Sequence, residues 1–302
     1  MKTRRIFCSL PADQWLTRQE NKVKWAIVSS IEALGYTVEI FLDPRGTTSM
    51  SASLAWNATE CERVMRCCEG CVVLGFPRWR INTETERMLL PTDFNQYEGA
   101  VAHTLGLPLL VLVQQGVIRR VVFDASYKGF VGIIPERPAL KWLETKAFTV
   151  PFSYFVEKLR DRRDIFLGYC SSSETTAKDI KRFLMQDLGL SVLDWQTDFD
   201  LATTILEQIE QASIRCGAGI FLFTKDDPLA DAGGKDKAVP RDNVVFEAGF
   251  FSAVKGKEKV LIIRESDAKM PADLGGDIYA SLKDKRDIEP IKRALKSFVD
   301  AL

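Results

Sequence analysis

Short apolar runs recur along this chain without the polar alternation of a half-exposed strand. They include CVVLGF at Cys71–Phe76, LPLLVLV at Leu107–Val113, DIFLGYC at Asp164–Cys170, AGIFLFT at Ala218–Thr224 and KVLIIRE at Lys259–Glu265. Runs of this kind are strands buried on both faces, and such strands occur in parallel sheets covered by helices. The stretches between them carry apolar residues at helical spacing: Asn21–Leu34, Glu60–Cys68, Thr175–Leu188 and Leu201–Ile214. With RRIFCSL and YTVEIFL at the front, and LSVLDW in the second half, the order strand, helix, strand, helix, strand, helix, strand is read twice. The expected fold class is α/β, with two tandem doubly wound parallel-sheet domains of flavodoxin type. The expected bounds are 1–145 and 163–302, joined by a connecting segment at 146–162.

The two halves also agree in detail. RRIFCSLPADQW parallels RRDIFLGYCSSSE, and PTDFNQYEGAVAHTLGLPLLVLV parallels PRDNVVFEAGFFSAVKGKEKVLII, so each half sets a glutamate, Glu98 or Glu247, on the helix before its last apolar strand. Tandem duplication is the simplest account. The 302 residues, 46% of them hydrophobic, suffice for two cores of roughly 150 residues each.

Charge and cysteine usage exclude several function classes. Forty-one basic residues balance 41 acidic ones, so there is no global field for nucleic acid or an anionic membrane. No apolar run approaches the roughly 20 residues of a membrane helix, and the polar start is unlike a secretion signal. Seven cysteines without such a signal fit reduced thiols, and a cytoplasmic protein is expected. Cys67, Cys68 and Cys71 lack a second CxxC, and His103 is the only histidine, so no metal is expected.

Ligands of open α/β sheets bind beyond the carboxyl ends of the strands. In the second half those ends carry Tyr169, Ser171, Ser172 and Ser173, then Trp195, then Asp226 and Asp227, then Arg241 and Asn243 leading to Glu247. Glu247 stands among Val244, Val245, Phe246 and Phe250, where an unpaired carboxylate is costly. With Asn243 as helix cap it misses the reciprocal capping box, whereas Asn95 and Glu98 have that spacing, which gives Glu98 a capping role. The stretch DDPLADAGGKDKAVPRD is read as a lid loop. The serines can cap a helix or meet a pyrophosphate, and Trp195 can be core or can stack on a ring.

FLFTKDD at Phe221–Asp227, PRDNVVFEAGFF at Pro240–Phe251 and MPADLGGDIYASL at Met270–Leu282, taken in order, resemble the TIR domains of cyclic-nucleotide-activated bacterial anti-phage effectors. The first half resembles the TIR and nucleoside deoxyribosyltransferase group in fold and in its YEGA segment only. The resemblance implies cleavage of the nicotinamide N-glycosidic bond of NAD+, which is then substrate with no separate cofactor, with Glu247 as the catalytic carboxylate. Tyr169, Ser171, Ser172, Trp195, Asp226, Arg241 and Asn243 would bind the dinucleotide. It also implies gating by a cyclic nucleotide or protein activator and assembly into a homo-oligomer, the first half serving to sense. A nucleoside or nucleotide glycosidase, an ADP-ribose cyclase and a non-catalytic interaction module are the alternatives.

Overall fold

The computed structural model describes residues 3–46, 49–51, 54–128, 130–199, 203–230, 236–270 and 279–302. The chain divides into two compact units, Thr3–Asp161 and Arg162–Leu302.

The N-terminal unit contains β1 (Arg5–Ser9), α1 (Arg18–Glu32), β2 (Thr37–Glu39), α2 (Ala58–Arg66), β3 (Gly70–Gly75), β4 (Trp79–Asn82), β5 (Arg87–Leu90), α3 (Asp93–Thr104), β6 (Leu109–Gln114), a short α4 (Ala125–Lys128), β7 (Gly132–Ile134) and α5 (Lys146–Arg160). Its main sheet has the order β2-β1-β3-β6-β7, every pair parallel, and β4 with β5 forms a separate antiparallel pair. β3 is buried along its whole length, as its unbroken apolar run requires. α1 starts where the sequence offers a capping box: Thr17 accepts from the Glu20 N–H while the Glu20 carboxylate accepts from the Thr17 N–H.

The C-terminal unit runs β8 (Arg163–Gly168), α6 (Glu174–Arg182), β9 (Val192–Asp194), α7 (Trp195–Asp198), α8 (Ile205–Arg215), β10 (Cys216–Phe223), β11 (Asp227–Ala230), β12 (Asp236–Val239), α9 (Asp242–Lys255), β13 (Val260–Glu265), β14 (Tyr279–Leu282) and α10 (Glu289–Asp300). Its sheet has the order β9-β8-β10-β13-β14, again wholly parallel. Position for position this repeats the N-terminal sheet, down to an antiparallel pair, β11 with β12, inserted before the glutamate-bearing helix. A core lies on each face of each sheet.

Several expectations are corrected here. The segment 146–162 is largely a helix of the N-terminal unit: Phe148, Phe155 and Leu159 of α5 lie in that unit's core. Of the expected lid loop, Asp227–Ala230 and Asp236–Val239 pair as β11 and β12, and residues 231–235 lie outside the described residues. α9 begins at Asp242, so Arg241 and not Asn243 takes the cap position, without a side-chain cap bond. In α3 the cap is Thr92, whose hydroxyl accepts from the Phe94 N–H, so Asn95 and Glu98 form no capping box. Most of MPADLGGDIYASL, from residue 271 to 278, and Leu201 at the start of an expected helix lie outside the described residues.

Among the described residues no helix is long and apolar enough to cross a membrane, and no group of three or more His, Cys, Asp or Glu could hold a metal ion. Burial raises the thiols of Cys68 and Cys71 well above their ordinary value, as expected for cysteines acting as small core hydrophobes.

Candidate active site

β8, β9 and α9 converge at the carboxyl edge of the C-terminal sheet around a cavity of about 780 Å³, within the range of about 300–1,000 Å³ usual for small-molecule sites. Tyr169, Ser171, Trp195, Arg241, Asn243 and Glu247 line it, six of the residues singled out from the sequence.

Glu247 lies five residues into α9, on the face that also carries the buried Val244, Ala248 and Phe251. Its neighbours differ from those expected. Phe246 is 53% exposed and lies on another side of the helix, whereas the carboxylate meets β8 at Gly168. A Cβ on Gly168 would stand 2.7 Å from Glu247 Oε2, so only glycine leaves room for the acid. Glu247 is 8% exposed and its Oε2 accepts no hydrogen bond among the described residues. Burial pushes its pKa up to about 7. A carboxylate without donors in an apolar wall is costly to a fold, and its presence at a cavity marks a group poised for a ligand.

The cavity rim is fixed by a small polar lock. The Tyr169 hydroxyl donates to Asp194 Oδ1 (2.8 Å), the Trp195 indole N–H donates to the Tyr169 carbonyl (3.1 Å), and Lys181 pairs with Asp194 Oδ2 at 3.0 Å. Trp195 is half-buried with its ring against Tyr169, so it joins the core and the cavity wall at once. Arg241 pairs with Asp227 at 3.2 Å, which holds the β11 end beside the start of α9.

Ser172 and Asp226 stand differently. Neither lines this cavity: Ser172 Oγ donates to Asp226 Oδ1 (2.5 Å), and Asp226 also accepts from the Thr224 hydroxyl (2.8 Å) and the Arg241 N–H (3.2 Å). Asp226 therefore ties the end of β10 to the start of α9. Sequence reasoning missed Cys170, Gln196, Phe199, Thr203, Ile205 and Gln208 on the wall. A signal for two of them was present. Thr204 and Glu207 form a capping box, which starts α8 at Ile205 and puts Ile205 and Gln208 in its first turn.

Glu98 occupies the corresponding place in the N-terminal unit, five residues into α3, 5% exposed and with its pKa raised to about 7 by burial, offset by Ser9 and Trp56. Its partners are what differ. Glu98 Oε1 accepts from the Trp56 indole N–H (2.8 Å), and Ser9, at the β1 position matching Gly168 of β8, adds a hydroxyl that also receives Asn95 Nδ2 (2.7 Å). Trp56 packs on Phe94 and Tyr97, with ring centroids 4.5 and 5.5 Å away. The same carboxylate is thus open in one unit and engaged in the other.

A five-stranded parallel sheet of order 2-1-3-4-5, with a buried glutamate at the wall of a cavity beyond its carboxyl edge, makes the C-terminal unit a flavodoxin-like domain. Residues 164–284 match the family described as "CAP12/Pycsar effector protein, TIR domain", and the C-terminal unit is a TIR domain of that effector family. CD-NTase-associated protein 12 of Sphingobacterium faecium is 34% identical over 115 residues, 38% of this chain and 35% of that protein. The Pycsar effector protein BcPycTIR of Burkholderia cepacia is 28% identical over 156 residues, 49% of this chain and 51% of that protein. The chain thus spans between about a third and a half of these two relatives. Protein YuaY of Escherichia coli is 26% identical over 215 residues, 66% of this chain and 70% of that protein, a match longer than either unit alone.

Proposed function

We propose that this chain is an NAD+ glycohydrolase effector of anti-phage defence, its C-terminal unit cleaving the nicotinamide N-glycosidic bond and its N-terminal unit gating that activity in response to a cyclic nucleotide or protein partner. The observation that carries this reading is Glu247: buried, with Oε2 receiving no hydrogen bond among the described residues, and at the wall of a cavity of about 780 Å³.

Breaking the bond between ribose C1′ and the nicotinamide nitrogen leaves positive charge on the ribose, and nicotinamide departs neutral, so no strong general acid is needed. A carboxylate beside C1′ stabilises the oxocarbenium-like ribose by charge, by hydrogen bonds to ribose hydroxyls or by transient covalent attack. The apolar packing of Val244 and Phe221 around Glu247 keeps water from screening that charge. Trp195 offers a face for a ring to stack on, and Arg241 with the first turn of α9 offers positive charge to the pyrophosphate. Assembly into an oligomer is part of the proposal, since an effector that drains NAD+ needs a restraint on its resting activity.

The test is nicotinamide release from NAD+ by the full chain, with and without a panel of cyclic nucleotides, for wild type and Glu247→Gln. Release that Glu247→Gln lowers at least a hundredfold supports the reading. Release unaffected by that change removes Glu247 from the chemistry. Chromatography of the second product separates ADP-ribose from its cyclised form.

A further inference from the structure

The N-terminal unit has a cavity of its own, away from Glu98, that none of the residues discussed so far explains. It measures about 560 Å³ and opens at the carboxyl ends of β6 and β7, between the first turn of α1 and the β4–β5 pair. Four arginines line it, each from a different stretch of chain: Arg18 on α1, Arg80 on β4, Arg87 on β5 and Arg137 after β7. Two carboxylates, Glu20 and Glu136, share the lining.

Glu20 is already committed. It is 3% exposed, caps α1, and receives Arg80 on both oxygens, at 3.1 and 3.0 Å. Arg18, Arg87 and Arg137 have no carboxylate partner among the described residues. Three unpaired guanidinium groups therefore converge on one concavity in a chain whose total charge is zero. Like charges lining one concavity repel one another, and an anion in the cavity relieves that repulsion. The first turn of α1 adds the positive end of its dipole from the same side. The planar fork of arginine matches phosphate oxygens two at a time, which favours phosphate over a single carboxylate.

The cavity is larger than an inorganic anion needs, and its remaining wall is amide. Gln19, Gln114 and Gln115 line it, and Gln114 is 3% exposed, with Nε2 on the Glu136 carbonyl (2.8 Å) and Oε1 receiving no donor among the described residues. Amides of this kind pair with sugar hydroxyls and with the edge of a base. At the corresponding strand end of the C-terminal unit, Glu265 accepts from the Lys225 N–H and pairs with Lys285, so the feature is not a by-product of the shared fold.

We infer that this arginine-lined cavity of the N-terminal unit is a binding site for a small phosphorylated ligand of mononucleotide size. The inference rests on the gating part of the proposed function and names the site for it, while the Glu247 chemistry is tested separately by nicotinamide release, so either can fail without the other.

The test is isothermal titration of the full chain with AMP, 3′,5′-cyclic AMP, inorganic phosphate and adenosine at low and moderate salt. The variants are Arg87→Gln/Arg137→Gln and, on α2 away from both cavities, the exposed Arg66→Gln. The N-terminal pair should weaken binding of a phosphorylated nucleotide about tenfold or more, while Arg66→Gln leaves that binding within twofold. Adenosine should not bind there, and the nucleotide should bind at least tenfold more tightly than inorganic phosphate. The arginines carry exposed, unpartnered side chains, so the variants should unfold at the wild-type temperature. No binding of either nucleotide, binding untouched by the N-terminal pair, or phosphate binding as tightly as the nucleotide would each overturn the inference.

Discussion

Gly168 and Glu247 form a matched pair: the acid of α9 occupies the space that any side chain on this β8 residue would fill, with Oε2 2.7 Å from the place of a Cβ. The same added carbon would stand 2.5 Å from Phe221 Cδ1. Gly168→Ala should therefore push the carboxylate toward the cavity or force Phe221 aside. Expected are a loss of about 1–3 kcal/mol in stability, as for other overpacked cores, and a large fall in nicotinamide release. Denaturant midpoints and initial rates on the same preparation check both; wild-type rates in a destabilised variant would show that the pairing serves packing alone.

The burial of Glu247 fixes how stability depends on pH. Its pKa is about 7 in the folded chain against 4.5 for an ordinary glutamate, so between those values the folded state holds the proton that the unfolded state has released. Its contribution is thus complete below pH 4.5, declines as pH rises and is gone above pH 7. Glu247→Gln removes that dependence. At 1.36 kcal/mol per unit, the stability of the variant relative to wild type should rise by roughly 3 kcal/mol between pH 4 and pH 8.5. Urea titrations of both proteins at the two pH values measure it, and a constant difference would mean that Glu247 is solvated or paired in solution.

The same ionisation governs the proposed chemistry in the opposite sense. Only the carboxylate form can stabilise positive ribose, so nicotinamide release should increase about tenfold per pH unit at low pH and level off above about pH 7. Initial rates at subsaturating NAD+ from pH 5 to 9 give this profile directly. A rate that is flat through pH 7 would assign the rate-limiting step to something other than Glu247.

The fold was legible in the sequence because its strands are buried on both faces: CVVLGF and AGIFLFT cannot be read as anything that faces water, and the paired order of motifs made the repeat visible. The two antiparallel pairs were not. WRIN alternates over only four residues and β4 is exposed along its length, so it carries no buried-strand signal, and DKAV falls within the stretch read as a lid loop. Glu247, Trp195 and Arg241 were found from their places at strand ends. In the sequence Glu98 is set apart from Glu247 by a capping box that does not form, and the actual distinction lies in Ser9 against Gly168 and in Trp56, residues far away in the chain that become neighbours only in the fold. Ser172 and Asp226 looked like ligand contacts for the complementary reason: polar residues at a strand end either meet a ligand or bond to each other, and composition does not distinguish the two.

Trp56 supplies the last prediction. Its indole N–H is a hydrogen-bond donor to a buried carboxylate that would otherwise resemble Glu247, and its ring closes the space in front of Glu98 against Phe94 and Tyr97. Trp56→Phe keeps much of the aromatic packing and removes the donor. Glu98 then loses a bond that lowers its pKa, so its pKa should climb further above about 7 and the unit should be destabilised by about 1–3 kcal/mol at pH 8, with a smaller cost at pH 5, where the acid is neutral. Trp56→Phe combined with Glu98→Gln should recover most of the loss at pH 8, because the charge that needed the donor is gone. A double variant no more stable than Trp56→Phe alone would show that the indole acts through its packing and not through the carboxylate.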